Sequence, residues 1–123
     1  MRLKLLLLLS IAMASCSRGV DKAELPGLYR AVSDSLKQEV TIRADGKYVN
    51  AFYRDGKLTW SDQGDWAYED QKGKAGITFT SFRFGMPGLS AAPGYWFVFP
   101  EKSLTGTKRL CFDLDLNRCF EAP

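Results

Sequence analysis

The stretch "EVTIRADGKYVNAFYRDGKLTW", Glu39 to Trp60, decides the fold because it marks two turns and the strands that join them. Its two Asp-Gly pairs each favour a two-residue hairpin turn, in which both central residues need positive φ. Strand side chains alternate between faces, and partners on adjacent strands share a face. Folding at both pairs therefore predicts one apolar face made of Val40, Ile42, Val49, Ala51, Tyr53, Leu58 and Trp60.

The register of each hairpin follows from its turn. A turn at Asp45-Gly46 pairs Ile42 with Val49 and Val40 with Ala51, while a turn at Asp55-Gly56 pairs Tyr53 with Leu58 and Ala51 with Trp60. The face opposite the apolar one then carries Tyr48, Asn50 and Phe52 among polar side chains. This alternation is typical of an antiparallel sheet with one solvated face.

Short strands continue on both sides of this stretch, separated by turn residues. They are "GLYRAVS" from Gly27 to Ser33, "GDWAYED", "GITFTSF", "YWFVF" from Tyr95 to Phe99, "KRLCFDL" and "NRCFE". Such spacing predicts an all-β domain, an antiparallel meander of about 8 to 9 short strands that forms a barrel or a sandwich.

The N-terminus has the three zones of a secretion signal: basic Arg2 and Lys4, an apolar run, and small residues before Cys16. The sequence Met13-Ala14-Ser15-Cys16 resembles the lipobox of bacterial lipoproteins, in which the first residue is usually Leu. That resemblance implies cleavage before Cys16 and acylation of this cysteine, a stable membrane anchor because several chains are attached. Within that family Ser17, rather than Asp, after the cysteine favours the outer membrane over the inner one.

The predicted organisation is a cleaved signal (1–15), a lipidated polar tether (16–25) and a single all-β domain (26–123). Without the signal, the chain has a net charge of about +1, which does not indicate nucleic-acid binding. The chain contains no His. Ser–His and Cys–His nucleophile pairs are therefore excluded, and the commonest metal ligand is missing.

Cys111 and Cys119 are the two cysteines left once Cys16 is lipidated, and outside the cytoplasm such a pair predicts a disulfide. The bridge fits if Asp113 faces Asn117 in the last hairpin, and is marginal if the turn spans only Asp115 to Asn117. Asp113 and Asp115 are predicted to be turn residues rather than calcium ligands, because a calcium loop starting at Asp113 would lack its Gly and its Glu. We expect no metal and no cofactor.

The longest irregular stretch, "RFGMPGLSAAPGYW" from Arg83 to Trp96, combines Gly and Pro with large apolar residues. Loops of this kind carry binding sites or close a barrel end. Two alternatives stay open: a plug made by Phe84, Met86 and Leu89, or a surface for a partner or ligand. The candidate binding residues are Phe84, Met86, Leu89, Tyr95 and Trp96.

Two further groups of residues are candidate sites. The aromatics Tyr48, Phe52, Trp60, Trp66 and Trp96 could form a ligand platform, although a small domain needs large residues in its core. Asp62 and Asp65, a carboxylate pair near two tryptophans, would suit glycoside hydrolysis. They are predicted instead to lie on a "SDQGD" turn, where Asp is common because its side chain hydrogen-bonds to the backbone. The sequence therefore predicts no enzyme.

Three functions follow in order. The first is a lipid-anchored envelope protein with a non-enzymatic domain that docks a protein, as an inhibitor or immunity factor would. The second is a carrier of a small apolar ligand, since "GLYR", "DGKY" and "GDWAYE" resemble in rhythm the strands of lipocalin-like barrels. Large residues predicted to point inward argue for a filled barrel rather than a carrier: Tyr53, Trp60, Trp66, Phe79 and Phe97. The third is a structural envelope component.

Overall fold

The computed structural model describes residues 17–71, 74–86, 92–113 and 118–123. The described chain is all-β apart from one short 3-10 helix, η1, at Lys22–Glu24. Ten strands follow one another along the chain: β1 (Ser17–Arg18), β2 (Gly27–Ser33), β3 (Leu36–Ile42), β4 (Lys47–Arg54), β5 (Lys57–Gln71), β6 (Lys74–Phe82), β7 (Gly94–Val98), β8 (Pro100–Ser103), β9 (Lys108–Asp113) and β10 (Arg118–Glu121). The prediction of an all-β domain is confirmed.

All ten strands belong to one antiparallel sheet in the order β1-β8-β9-β10-β2-β3-β4-β5-β6-β7. The sheet curls into a nearly closed barrel. Only Phe99 separates β7 from β8, yet β7 pairs with β6 and β8 pairs with β9. The chain therefore crosses from one end of the sheet to the other at this point, and this crossing brings the two ends together.

The first Asp-Gly turn does not have the predicted register. Gly46 has positive φ (84°) but Asp45 does not, and the backbone hydrogen bonds Gly46 N to Arg43 O and Arg43 N to Lys47 O enclose a three-residue loop. Such a loop, a type I turn followed by a left-handed glycine, is the next commonest hairpin connection. The Asp45 carboxylate supports it by accepting from Lys47 N at 3.1 Å.

The extra loop residue shifts β4 by one position, so that Ile42 pairs with Tyr48 rather than with Val49. A shift of one residue exchanges the two faces of a strand. Tyr48, Asn50 and Phe52 are accordingly buried in the barrel, whereas Val49, Ala51 and Tyr53 are only partly buried. The predicted apolar face is therefore correct for Val40 and Ile42 of β3 and wrong for β4.

The second Asp-Gly turn is the predicted two-residue turn, with positive φ at Asp55 and at Gly56. Tyr53 pairs with Leu58 as expected. A β-bulge then interrupts the ladder, so that Trp60 pairs with Phe52 instead of Ala51. Leu58 is exposed, not on the core face. Bulges of this kind bend strands at barrel rims and cannot be recognised from turn residues.

The N-terminal stretch predicted to be a tether is part of the folded domain from Ser17 onward. β1 pairs with β8, with Ser17 opposite Ser103 and Arg18 opposite Lys102. Val20 and Leu25, on either side of η1, are fully buried, and Tyr29 Oη donates to Leu25 O at 2.8 Å. Apolar side chains at these two positions hold the segment against the barrel. The sequence predicted a tether because the other residues of the segment are mostly polar.

Aromatic rings fill the barrel interior. Phe82 lies at their centre, with its ring centroid 4.9 Å from Phe84, 5.1 Å from Phe112 and 5.2 Å from Phe79. The buried cluster also includes aliphatic residues from four strands and the N-terminal segment: Val20, Leu25, Val40, Ile42, Ile77, Val98 and Leu110. Of the inward-pointing residues predicted from sequence, Phe79 and Trp66 are buried.

The predicted disulfide is confirmed. Cys111 of β9 lies directly opposite Cys119 of β10, with Cα atoms 4.1 Å apart, and the two sulfurs are bonded. Asp113 pairs with Arg118 across an irregularity in the ladder, which allows the cysteines to face one another. Asp113, predicted to be a turn residue facing Asn117, instead ends β9 and faces Arg118. Asp115 and Asn117 lie outside the described residues.

Candidate functional site

A strip of polar side chains crosses the inner face of three neighbouring strands. Gln38 of β3 and Asn50 of β4 are fully buried, and Asp62 of β5 is the strand partner of Asn50. Gln38 Nε2 donates to Asn50 Oδ1 at 2.8 Å. Buried amides are costly unless they are hydrogen-bonded, so this strip requires a partner inside the barrel.

That partner is the chain that follows β6. Arg83 O accepts hydrogen bonds from Gln38 Nε2 and from Asn50 Nδ2, both at 2.8 Å, and Gly85 N donates to Gln38 Oε1 at 3.0 Å. The two amides therefore hold the backbone of Arg83–Gly85 as a neighbouring strand would. Every polar atom of the two amide groups takes part, so the segment is fixed in one position.

The Arg83 side chain also holds the segment after β6 against the sheet, through contacts with β5. Its guanidinium donates to both oxygens of Asp62, at 2.9 and 3.2 Å, and lies over the Trp60 ring with its central carbon 4.0 Å from the centroid. Paired, planar contacts of this type are the strongest that an arginine makes. Arg83 is 29% exposed and Asp62 is 32% exposed, so the pair forms part of the surface.

The aromatic layer under Arg83 explains why residue 85 is glycine. Trp60 stacks on Phe52 with ring centroids 5.6 Å apart. The Phe52 ring in turn covers Gly85 so closely that an added Cβ would lie 2.3 Å from a ring carbon. The segment after β6 can therefore approach the sheet only because it has no side chain at this position.

A polar cleft of about 500 Å³ opens to the surface beside this arrangement. It is lined by Ser61, Asp62, Gln63, Ser81, Arg83 and Pro93. Ser81 has φ 52°, a conformation that costs energy for a residue other than glycine, and it lies where β6 departs from regular pairing with β7. Strained backbone is often found at binding sites. The cleft offers hydroxyl, amide and guanidinium groups without an enclosed apolar chamber.

The binding candidates named from sequence separate into two groups. Phe84 and Met86 are buried, at 1% and 6% exposure, so they act as the plug and do not form an exposed patch. Trp96 is partly buried, with its ring 4.8 Å from Phe84. Tyr95 is 65% exposed, two residues after Pro93 of the cleft. Leu89 lies outside the described residues.

The predicted aromatic platform does not form as one surface. Tyr48, Phe52 and Trp66 are core residues, and one face of Trp60 is covered by Arg83. Tyr48 Oη donates to Thr80 O inside the barrel. Burial raises the pKa of Tyr48 to about 12, with smaller contributions from the Asp62 and Asp65 carboxylates. Tyr48 is therefore a structural side chain that stays neutral.

The carboxylates near the tryptophans are not on a turn, because "SDQGD" runs through the middle of β5. Asp62 binds Arg83, and the exposed Asp65 binds Lys47, whose pKa it raises through that hydrogen bond. Each acid thus has its own cation. Within the described part of the chain, no group of three or more His, Cys, Asp or Glu is arranged to hold a metal ion.

Sequence reasoning missed Gln38, Asn50 and Arg83 as one constellation. A signal for Gln38 was present, because it alternates with Val40 and Ile42 and therefore shares their inward face. Asn50 was assigned to the wrong face by the register error. The contact with Arg83, 45 residues from Gln38, has no local signal.

Comparison of the chain with family models, with curated proteins and with solved structures gives no match. None of the helical structure among the described residues is long and apolar enough to span a membrane.

Proposed function

We propose that this protein is a lipid-anchored protein of the bacterial cell envelope whose barrel is a non-enzymatic domain that docks a protein partner. The anchor is Cys16, and Ser17 favours the outer membrane. The docking surface, called here the cleft surface, consists of Ser61, Gln63, Ser81, Arg83 and Pro93 together with the exposed Tyr95.

The observation that carries this proposal is the combination of a filled interior with a polar, partly rigid cleft at the surface. Arginine, tyrosine and tryptophan are the residues most often responsible for binding energy at protein interfaces. In the cleft surface Arg83 is held in place by Asp62 and Trp60. Tyr95 follows Pro93 of the cleft by two residues, and 65% of its area is exposed. A preformed surface loses little entropy on binding.

The filled interior favours docking over the carrier function. A carrier needs an empty chamber of roughly 300 to 1,000 Å³ lined by apolar side chains. Here the corresponding space is occupied by packed rings, including Phe79, Phe82, Phe84 and Phe112. The enzymatic alternatives are disfavoured by the lack of His and by the pairing of each β5 carboxylate with a cation.

Native mass spectrometry of the protein purified from its own envelope, without reducing agent, tests this proposal. We expect a chain cleaved before Cys16, acylated, oxidised at Cys111 and Cys119, and accompanied by a stoichiometric protein partner. The Tyr95→Ser variant should lose that partner. The matched control is Val32→Ser, because Val32 is 64% exposed but lies on β2, away from the cleft.

Each other outcome has a definite meaning. A small-molecule adduct in place of a protein would support the carrier function. An acylated chain without any companion would contradict docking and favour a structural component. Equal loss of the partner in the Tyr95 and Val32 variants would show that the cleft surface is not the binding site, whereas an unmodified N-terminus would contradict the anchor.

A further inference from the structure

The turn between β8 and β9 is uncharged and is held together by hydrogen bonds within it. Its sequence is "SLTGT", from Ser103 to Thr107. Ser103 N donates to Thr107 O and Gly106 N donates to Ser103 O, both at 2.9 Å. The Ser103 hydroxyl adds contacts to Thr107 N at 3.1 Å and to Thr105 Oγ1 at 2.9 Å. These bonds hold the turn in a compact shape.

Leu104 occupies the tip of this turn and is 65% exposed. Lysines flank the turn at positions 102 and 108, but their ammonium groups are not at its tip. Lys102 binds the Glu24 carboxylate, and Lys108 donates to Glu24 O. The tip thus presents an apolar side chain on a compact turn. The two nearby ammonium groups bind Glu24 of η1 instead of lying at the tip.

The position of this turn relative to the N-terminus is fixed by strand pairing. Ser17 is the partner of Ser103, the residue that begins the turn. Consecutive Cα atoms are about 3.8 Å apart and paired strand residues about 5.5 Å apart, so the Cα of Ser17 lies within about 9 Å of the Cα of Leu104. A membrane anchor on Cys16 would therefore bring the Leu104 turn to the bilayer surface.

We propose that the Leu104 turn inserts into the interfacial region of the membrane that carries the anchor. This inference rests on the lipid anchor of the proposed function. An acyl anchor alone lets a domain rotate about its attachment point, whereas a second contact beside it fixes the orientation. The barrel then stands with β1, β8 and the Leu104 turn towards the membrane, and with the Asp55–Gly56 turn away from it.

Strands β2 and β9 both run antiparallel to β10, so they begin at the same end of the barrel, and the Leu104 turn, which precedes β9, lies at that end. The Asp55–Gly56 turn lies at the opposite end. Gly27 and Ile42 pair at the end of β2 and β3 that adjoins the Gly46 turn, and Ser33 and Leu36 pair at the other end. Leu58, next to the Asp55–Gly56 turn, lies at that other end. Leu58 is 57% exposed, close to the value for Leu104, and is therefore a matched control.

Site-directed fluorescence on the full chain tests the inserted turn. With Cys16 acylated and the other two cysteines in the disulfide, a cysteine introduced by Leu104→Cys or Leu58→Cys is the free thiol to label with an environment-sensitive probe. The labelled, lipidated proteins are reconstituted in vesicles of neutral and anionic phospholipid with and without lipid-attached quenchers. The same labels on the Cys16→Ser protein in buffer provide the solvent reference.

We expect a blue shift and quenching by the lipid-attached quencher at position 104, and a solvent-like signal at position 58. Because the flanking charges are held by Glu24, high salt should leave the signal at position 104 unchanged. An acylated protein with solvent-like signals at both positions would overturn the inference while leaving the anchor intact. A protein without acyl chains would overturn both. Shielding of position 104 in native membranes but not in pure lipid would assign the turn to a protein partner and overturn the inference.

Discussion

Truncation of Phe84 should remove a large part of the stability of the domain. Phe84 is 1% exposed, and its ring meets those of Trp96, Phe82 and Phe112 edge-on at centroid distances of 4.8 to 5.0 Å. Removal of a buried phenylalanine costs about 3 to 5 kcal/mol, and the loss of three ring contacts favours the upper half of that range. A domain of this size has about 5 to 15 kcal/mol of stability in total, so Phe84→Ala should leave it marginally folded.

Urea denaturation followed by tryptophan fluorescence measures this loss. With a slope of about 1 to 3 kcal/mol per molar urea, the midpoint for Phe84→Ala should fall by roughly 2 M. The midpoint for Phe84→Leu should fall less, because leucine keeps most of the apolar volume. Tyr95 is exposed, so Tyr95→Ala is the control, and its free energy of unfolding should stay within about 0.5 kcal/mol of that of the parent protein. If Phe84→Ala also stayed within that limit, Phe84 would be a surface residue and the plug would not exist.

Three further predictions follow from the same structure. Gly85→Ala should destabilise the domain by about 1 to 3 kcal/mol in the urea assay, because its Cβ would overlap the Phe52 ring. Reduction of the disulfide between β9 and β10, which joins residues eight positions apart, should cost about 2 to 3 kcal/mol, and an unchanged midpoint after reduction would contradict the chain-entropy estimate. Burial raises the pKa values of Tyr29 and Tyr48 to about 12, so the stability that their neutral forms provide is complete below about pH 10 and is lost as the pH rises to about 12. Each shift corresponds to about 3 kcal/mol, and the Phe variants of these tyrosines should show a smaller alkaline loss in urea titrations at several pH values.

The sequence predicted the class of fold because the turns and strand lengths are local signals. The strand Gly27–Ser33 is found with its predicted bounds, and the disulfide joins the predicted pair. These features depend on residues that are neighbours along the chain, or on the compartment in which the chain folds. Predicting them does not require knowing which face of each strand points inward.

The register could not be predicted from the same signals, because Asp-Gly serves two kinds of hairpin loop. At Asp55-Gly56 both residues adopt positive φ, and at Asp45-Gly46 only the glycine does. The two kinds of loop differ by one residue in length, and that one residue decides which face of the following strand points into the barrel. What decides between them at the first turn is tertiary: the three-residue loop buries Tyr48 and Phe52, and it brings Asn50 to Gln38.

The candidate site depends still more on contacts between distant parts of the chain. The sequence named the loop after β6 but not the amides that hold it. Asp62 was assigned to a turn because "SDQGD" has turn composition, whereas Gly64 is needed in β5 to accommodate the Tyr48 ring, whose atoms would lie 2.5 Å from an added Cβ. A glycine that makes room for an aromatic ring on the next strand has the same local signature as a glycine in a turn.

The manner in which the loop is held also bears on the choice between docking and carriage. For a ligand to enter the barrel, the segment from Arg83 to Met86 would have to leave it. That movement would expose Phe84 and Met86, at about 1.5 to 3 kcal/mol each, and would break the hydrogen bonds of Gln38 and Asn50 to the segment, at about 0.5 to 1.5 kcal/mol each. The total of about 5 to 10 kcal/mol is comparable to the stability of the whole domain. A plug this costly to displace would open only as the barrel unfolds, which favours the surface beside it over the space beneath it as the site of the proposed partner.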